Sequence, residues 1–341
     1  MSQSSTIAHL TEVVERTERR LKLDPSACLF LVLITVIPFT ILTAMPFTVW
    51  DVETWGPVKN TRYCEPIQAH SAVREPVNSW SNFVYSLVGS WSFAAGLRDM
   101  RQAQAAGEPI APISELRGNP AFSIVMGLSW LSLGMFSFLF HAANTRSWQL
   151  WDVGFTNNAA GCMAFWSACS LTLAHVPAAR RRPRFTTAAY LASLLIVEAC
   201  LVGLKWEYST TICLSTLIGL VIFFECVVQP LLAKKSCAQR VLTATAILMI
   251  LLAWIVRELE VNKGWFRPNA PPLCNPHSSW LNPHAAWHVG SGIAIACQLK
   301  AWRLSPPPPP LERRWHCCPS GSDDAPEMKA ARPGSSSSSQ A

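Results

Sequence analysis

Eight apolar stretches of this chain are each long enough to form a helix that crosses a lipid bilayer. The first runs from residue 28 to residue 50 and follows a polar segment rich in arginine. The other seven cover residues 78–98, 119–143, 149–175, 186–204, 210–233, 240–258 and 283–303. We therefore expect an all-α integral membrane protein, a seven-helix transmembrane bundle with one additional N-terminal transmembrane helix.

The composition favours a membrane protein over the other classes. Half of the 341 residues (50%) are hydrophobic and only 14% are charged, which is apolar and charge-poor for a soluble domain. The formal net charge of +7 is compatible with nucleic-acid binding. The basic residues, however, lie in short groups between the apolar runs rather than along one face, so we expect no nucleic-acid partner.

Charge in the loops predicts which side of the membrane each loop faces. Arginine and lysine concentrate in alternate loops, and loops of this kind stay on the cytoplasmic side. The basic residues of these loops are Arg98, Arg101 and Arg117, then Arg180, Arg181, Arg182 and Arg184, then Lys234, Lys235 and Arg240, then Lys300, Arg303, Arg313 and Arg314. The remaining loops are expected to face the lumen or the exterior.

The same features divide the chain into segments. We expect a cytoplasmic N-terminal segment at 1–27, an uncleaved signal-anchor helix at 28–50 and a lumenal loop at 51–77. The seven-helix domain follows at 78–303. Residues 304–341 begin with a proline run and end rich in serine, which predicts a disordered cytoplasmic tail.

Most of the twelve cysteines lie inside apolar runs, where cysteine is usually a small core residue. Cys64 and Cys274 instead lie in polar loops that the topology places on one side of the membrane. These two are candidates for a disulfide bond, with free thiols as the alternative.

Two histidines at the start of the last apolar run have the spacing of metal ligands. His284 and His288 are four residues apart, so a helix places both imidazoles on one face, about 6 Å apart at their Cβ atoms. Two interfacial histidines are the alternative. His141 ends an earlier run on the same side, and three histidines at one depth predict a zinc site with a fourth position for water. His277 is an alternative ligand without a helical partner.

An aspartate and a serine lie close to this predicted site. Asp152 begins the run after His141, and Ser137 precedes His141 by one helical turn on the same face. In a hydrolase, Asp152 would accept a proton from the attacking water and deliver it to the leaving group. Ser137 would donate a hydrogen bond to the developing oxyanion or orient a ligand, although bonding to a carbonyl within its own helix is common for serine. Glu198 and Glu225, also within spans, are candidates to line a lipid cavity.

The order of these residues resembles a known superfamily. Ser137 and His141, then Asp152, then His284 and His288 follow the pattern of the membrane hydrolases that include alkaline ceramidases and the progestin and adipoQ receptors. The resemblance covers roughly residues 60–303. Three stretches are most similar to the alkaline ceramidase family: Cys64–Pro66, Glu75–Asn82 and Cys274–His288.

The resemblance implies zinc on His141, His284 and His288, with Asp152 and Ser137 catalytic. It also implies seven core helices and hydrolysis of the N-acyl amide of ceramide, a membrane lipid, to a sphingoid base and a fatty acid. The expected location is the endoplasmic reticulum or Golgi membrane, with the plasma membrane as the alternative. The active site is expected on the lumenal or extracellular side.

The chain also departs from the family pattern. Val153 stands where members often have an acidic residue. The animal members bind calcium near the Cys-Glu-Pro segment, for which this chain offers Glu65 and Glu75, with Gln68 as a further candidate. Arg62 stands where an aspartate is expected, and a cation there opposes calcium, so calcium dependence is doubtful. If Glu65 and Glu75 do not bind calcium, their alternative role is to form ion pairs with Arg62 or Arg74.

Two other functions remain open at this level. One is hydrolysis of another lipid amide or ester within the same superfamily. The other is a seven-helix receptor with structural zinc, against which Asp152 and Ser137 argue, because structural zinc usually has four protein ligands. A transporter is disfavoured because the sequence shows no internal repeat.

Overall fold

The computed structural model describes residues 64, 65, 67, 68, 71–105, 116–232, 235–261 and 282–304. Every regular element in these ranges is a helix, and they contain no strand. The predictions for residues 1–27, for the additional helix at 28–50 and for the tail after 304 lie outside the described residues.

Ten α-helices make up the described part of the chain. They are α1 (Pro76–Ser81), α2 (Phe83–Ala105), α3 (Pro120–Ala143), α4 (Arg146–His175), α5 (Pro177–Arg181), α6 (Pro183–Gly203), α7 (Thr210–Phe223), α8 (Gln229–Leu232), α9 (Cys237–Val261) and α10 (Pro283–Arg303). A 3₁₀ turn at Leu116–Gly118 precedes α3, and a π-helical segment at Phe224–Val228 joins α7 to α8.

Four helical segments are both long and apolar enough to cross a membrane. They are Pro120–Ala143, Pro183–Gly203, Thr210–Leu232 and Cys237–Glu258. The chain is therefore a candidate membrane protein with four such helices among the described residues, and the predicted count of seven plus one is not confirmed. The helices α2, α4 and α10 are also long, but their sequences are more polar.

Packing accounts for this difference between the long helices. Only about 17% of the most apolar part of α6 is buried inside the protein. In a membrane, its other side chains would contact lipid, so they have to be apolar. By contrast, α10 buries most of its residues, including Ser291 and Gln298, against other helices. A helix inside a bundle can carry polar and small side chains because neighbouring helices, not lipid, surround it.

The connection between α3 and α4 is unusually short and positions the residues on both sides of it. Asn144 ends α3 in the left-handed conformation, with φ of 55° and ψ of 47°. This conformation stops the helix and reverses the chain, and asparagine tolerates it better than most residues. The last turn of α3 and the first turns of α4 therefore lie at the same end of the bundle, which we name the histidine end.

The close contact between α2 and α3 depends on glycine. A Cβ atom at Gly127 would lie 2.7 Å from the Cα atom of Phe93 on the facing helix. Because that neighbour is backbone, the two helices would have to move apart, as is typical of small-residue contacts in membranes.

We expect Gly127→Ala to destabilise the protein by about 1–3 kcal/mol through overpacking, although alanine is the better helix former. Thermal unfolding in detergent measures this as a lower Tm. The matched control is Gly219→Ala, because a Cβ atom there has no neighbour within 4 Å. Equal Tm values for the two variants would contradict the proposed tight packing.

Candidate metal centre

Three buried histidines meet at the histidine end of the bundle. His141 lies in the last turn of α3, and His284 and His288 lie in the first two turns of α10. Their relative exposures are 0%, 5% and 2%, and one ring nitrogen from each lies within 4.8 Å of the others. This three-histidine group can hold a metal ion.

The spacing of the ring nitrogens matches the size of a metal ion. The Nε2 atoms of His141 and His284 are 3.2 Å apart. Two nitrogens bound tetrahedrally to zinc at about 2.0–2.1 Å are about 3.3 Å from each other. The residues therefore fit zinc without rearrangement of this pair.

The start of α10 determines where its two histidines lie. The side chain of Asn282 caps the helix by accepting a hydrogen bond from the His284 amide at 3.0 Å, and Pro283 occupies the first helical position. His288 follows one turn later on the same face. The spacing predicted from the sequence is therefore realised in this helix.

A short segment before α1 closes the other side of the cluster. The backbone amides of Arg74 and Glu75 donate to the carbonyls of Ala142 and His141 at 3.1 and 3.2 Å. The Arg74 guanidinium also donates to the Ala143 carbonyl at 3.0 Å. These bonds satisfy carbonyls at the end of α3 that have no partner within the helix, and they bring Glu75 beside His141.

Glu75 is the principal partner of His141. Its buried carboxylate accepts a hydrogen bond from Nδ1 of His141 at 2.7 Å, and it also accepts bonds from the side-chain amides of Asn144 and Asn78 at 2.9 and 3.1 Å. Because a carboxylate only accepts, Nδ1 of His141 carries the proton and Nε2 offers its lone pair to the centre. Such a carboxylate fixes the ring orientation and strengthens the histidine as a ligand.

Ser81 performs a similar task for His288. Its hydroxyl donates to the Asn78 carbonyl at 2.8 Å and lies 2.8 Å from Nδ1 of His288. Since the hydroxyl proton is used for the carbonyl, Nδ1 of His288 donates to the Ser81 oxygen. The Nε2 atom of His288 is then the acceptor that remains for a metal.

We expect Glu75→Gln to lower the affinity for zinc about 10- to 100-fold, because the neutral amide makes His141 a weaker ligand. Competition with a chelator, followed by metal analysis, measures the change. Glu207→Gln is the control, since Glu207 is exposed in the loop after α6. If Glu75→Gln holds zinc as tightly as Glu207→Gln does, Glu75 has no part in metal binding.

Asp152 and Ser137 lie together beside the histidines. Ser137 and Asp152 lie close to each other, and Asp152 lies within electrostatic range of His141. Ser137 is buried, whereas Asp152 is partly exposed. The structure thus brings the five residues singled out in the sequence to one end of the bundle.

The two candidate calcium ligands support this cluster in the structure. Glu65 accepts hydrogen bonds from the backbone amides of Val77 and Asn78, both at 2.7 Å, and so binds the N-terminus of α1. Burial raises the pKa of the Glu65 carboxyl, and the two amides oppose that rise. Glu75 binds His141, while Arg74 donates to Ala143. Calcium binding at Glu65 and Glu75 stays a prediction.

Of the two cysteines predicted to form a disulfide bond, the structure describes one. Cys64 is disulfide-bonded. Its predicted partner, Cys274, lies outside the described residues, as does the alternative ligand His277. Cys162 and Cys169 are buried thiols in α4, as expected for core residues.

An apolar cavity lies inside the bundle near the histidine cluster, although none of the three histidines lines it. Its volume is about 70 Å³, and its walls come mainly from α4, α7, α9 and α10. Tyr85, Trp287 and Ser291 line the end near the histidines. The Tyr85 hydroxyl lies 2.5 Å from Oγ of Ser291, and its ring centre is 5.9 Å from that of His288.

Sequence reasoning missed several of these residues. The sequence makes Glu75 a candidate calcium ligand and Ser81 a candidate for interhelical hydrogen bonds, but it does not pair either of them with a particular histidine. Arg257 was not considered, yet its guanidinium lies over the rings of Trp254 and Trp287 beside the cavity, at 5.0 and 5.7 Å. An arginine three residues after Trp254, near the end of an apolar run, was the available signal.

Comparison with known proteins does not identify the family of this chain. No family model matches the chain, and no curated protein matches it. The resemblance to alkaline ceramidases therefore stays a prediction that rests on the quoted residues.

Proposed function

We propose that this chain is a zinc-dependent membrane amidohydrolase that cleaves the N-acyl bond of ceramide to give a sphingoid base and a fatty acid. One observation carries the proposal: a buried three-histidine group, with a carboxylate near it, lies next to an apolar cavity whose lining includes Tyr85 and Trp287, the neighbours of His288. This combination suits the hydrolysis of a lipid whose reactive bond adjoins long alkyl chains.

Zinc is the metal that the donor set favours. Three imidazoles that leave a fourth position open are typical of catalytic zinc, and His141, His284 and His288 would hold the ion. Zinc bound there would polarise the scissile carbonyl and lower the pKa of a water molecule toward neutrality.

The side chains of the chain itself would move the protons. Asp152 would accept a proton from the water whose oxygen adds to the acyl carbon. As the carbon–nitrogen bond breaks, the protonated Asp152 would give that proton to the leaving amine, and the carboxylate is restored. A hydrogen bond from the nearby Ser137 would hold the Asp152 carboxylate in one orientation between these two steps.

The cavity would hold the alkyl part of the substrate. Its walls near the histidines are formed by Trp287, Leu214 and Ile250, and the described residues that line this end include no charged side chain. Burial of methylene groups against such walls contributes roughly 0.8 kcal/mol each. The resemblance to alkaline ceramidases implies the endoplasmic reticulum or Golgi membrane, with the plasma membrane as the alternative. The charge pattern of the loops would put the histidine end toward the lumenal or extracellular side.

The test is release of sphingoid base from ceramides of defined acyl chain by the detergent-purified protein, with zinc content measured in parallel. We expect about one zinc per chain and amide cleavage of at least one ceramide. Zinc without cleavage of any ceramide, but with cleavage of another lipid amide or ester, would move the proposal to that substrate. Zinc without hydrolysis of any lipid would favour the receptor, and a protein that binds no zinc would exclude the mechanism.

A further inference from the structure

The walls of the cavity are apolar, but the end farthest from the histidine cluster is lined by polar side chains. Two helices line the cavity with the same spacing. The positions are Leu214, Ile218, Val221, Ile222 and Glu225 on α7 and the π segment, and Trp287, Ser291, Ala294, Ile295 and Gln298 on α10. Each set forms one continuous face of its helix. Each face ends, eleven residues from its start, on a polar side chain.

These faces give the cavity its depth. Eleven residues of helix span about 16 Å at 1.5 Å per residue. Trp287, at the start of one face, adjoins His288, so Gln298 lies about 15 Å along the helix axis from the histidine cluster. An alkyl chain that begins at the cluster therefore meets the far end only when it is long.

Glu225 is held firmly at this far end. Its carboxylate accepts hydrogen bonds from Oγ of Ser167 and Nε1 of Trp302, both at 2.9 Å, and pairs with Nζ of Lys235 at 2.6 Å. It lies in the π-helical segment, and such interruptions of helices occur frequently at functional sites. These three contacts hold the carboxylate in place at the base of an apolar space.

Gln298 differs from Glu225 because part of its side chain has no partner. Its relative exposure is 2%, and its Nε2 atom makes no hydrogen bond to the described part of the chain. A buried donor in this position requires an acceptor from water or from a ligand. A methyl group that displaces water from Nε2 supplies no such acceptor.

We propose that Gln298 and Glu225 form a polar floor that sets the longest alkyl chain that the cavity accepts. This inference rests on the proposed function for the identity of the lipid. Chains that end above the floor are buried wholly among apolar side chains. Longer chains must displace the water that would accept a hydrogen bond from Nε2 of Gln298. The loss of one buried hydrogen bond lowers binding roughly 5- to 150-fold.

The test is a series of ceramides that differ only in the length of a saturated acyl chain, hydrolysed by wild type, Gln298→Met and Gln298→Asn. Methionine is about as long as glutamine but removes the polar amide, whereas asparagine keeps the amide and shortens the side chain. We expect kcat/KM of wild type to fall beyond one length. For Gln298→Met, the ratio of kcat/KM for the longer chains to that for the shorter chains should rise about 5-fold or more.

A purely steric floor predicts the reverse order, with Gln298→Asn accepting longer chains and Gln298→Met unchanged. That result would overturn the polar floor, as would identical length profiles for all three proteins. Zinc content and Tm of each variant show that the histidine cluster and the fold are intact.

A binding measurement separates this inference from the proposed function. Fatty acids of the same lengths are added to the three proteins, and the increase in Tm reports binding. If no ceramide is cleaved but Gln298→Met extends the range of stabilising fatty acids, the floor stands and the ceramidase proposal fails. If ceramide is cleaved but neither assay responds to Gln298→Met, the floor fails alone. Failure of both assays with wild type would overturn both proposals.

Discussion

Replacement of Asp152 by asparagine is expected to lower kcat for ceramide about 100- to 10,000-fold, the usual contribution of a general acid–base residue. The amide has nearly the shape of the carboxylate, and its oxygen can still accept a hydrogen bond from the nearby Ser137. It cannot take up the proton of the attacking water. Turnover of a labelled ceramide by the purified variant measures the effect.

The zinc content of Asp152→Asn makes this result specific. Asp152 is not among the three residues whose ligand atoms converge, so the variant should contain as much zinc as wild type. A variant that retains both zinc and full turnover would show that Asp152 moves no proton in the reaction. Ser137→Ala should give a smaller loss of kcat, because it leaves the carboxylate present but less well oriented.

Replacement of His288 by alanine is expected to abolish stoichiometric zinc binding and to remove hydrolysis with it. Two imidazoles remain in this variant, which is fewer than the three protein ligands of catalytic zinc sites. The Ser81 hydroxyl also loses the ring that it orients. Metal analysis after purification and the ceramide assay give the two readouts together.

His175→Ala is the matched control for His288→Ala. His175 is exposed at the last turn of α4, at the opposite end of that helix from Asp152. This control should keep both zinc and activity. Full activity in a zinc-free His288→Ala protein would refute a zinc-dependent reaction.

The site residues were accessible from the sequence because each followed from a local rule. The four-residue spacing of His284 and His288 places them on one helical face whatever surrounds that helix. Loop charges and the lengths of the apolar runs then placed His141 and Asp152 at the same end. The structure brings these residues together, while their roles in binding zinc and in hydrolysis stay predictions.

The partners of the histidines were not accessible in the same way. Glu75 is 66 residues from His141, and Ser81 is 207 residues from His288. No local spacing relates residues so far apart. The first pairing depends on how the segment before α1 packs across the end of α3, and the second on how α1 packs against α10. The same limit applies to Arg257, which reaches Trp287 only because α9 and α10 pack side by side.

Hydropathy identifies the membrane-crossing helices that face outward but not the long helices inside the bundle. The runs in α6, α7 and α9 face outward and must be apolar, so the sequence shows them clearly. The helices α2, α4 and α10 bury polar and small residues against neighbouring helices, and their apolar character is weaker. Seven long helical segments occur in the described residues, but composition alone supports four as membrane-crossing.

The sequence by itself determined that the chain is helical and apolar, and which histidines, aspartate and serine are candidates for chemistry. These properties depend on helical periodicity and on the transfer of side chains from water, which act within one segment. Tertiary structure alone decided the hydrogen bonds that orient the histidines, the cavity beside them and its polar floor at Glu225 and Gln298. Each of these needs atoms from several helices at one point, and no single segment specifies how its neighbours pack.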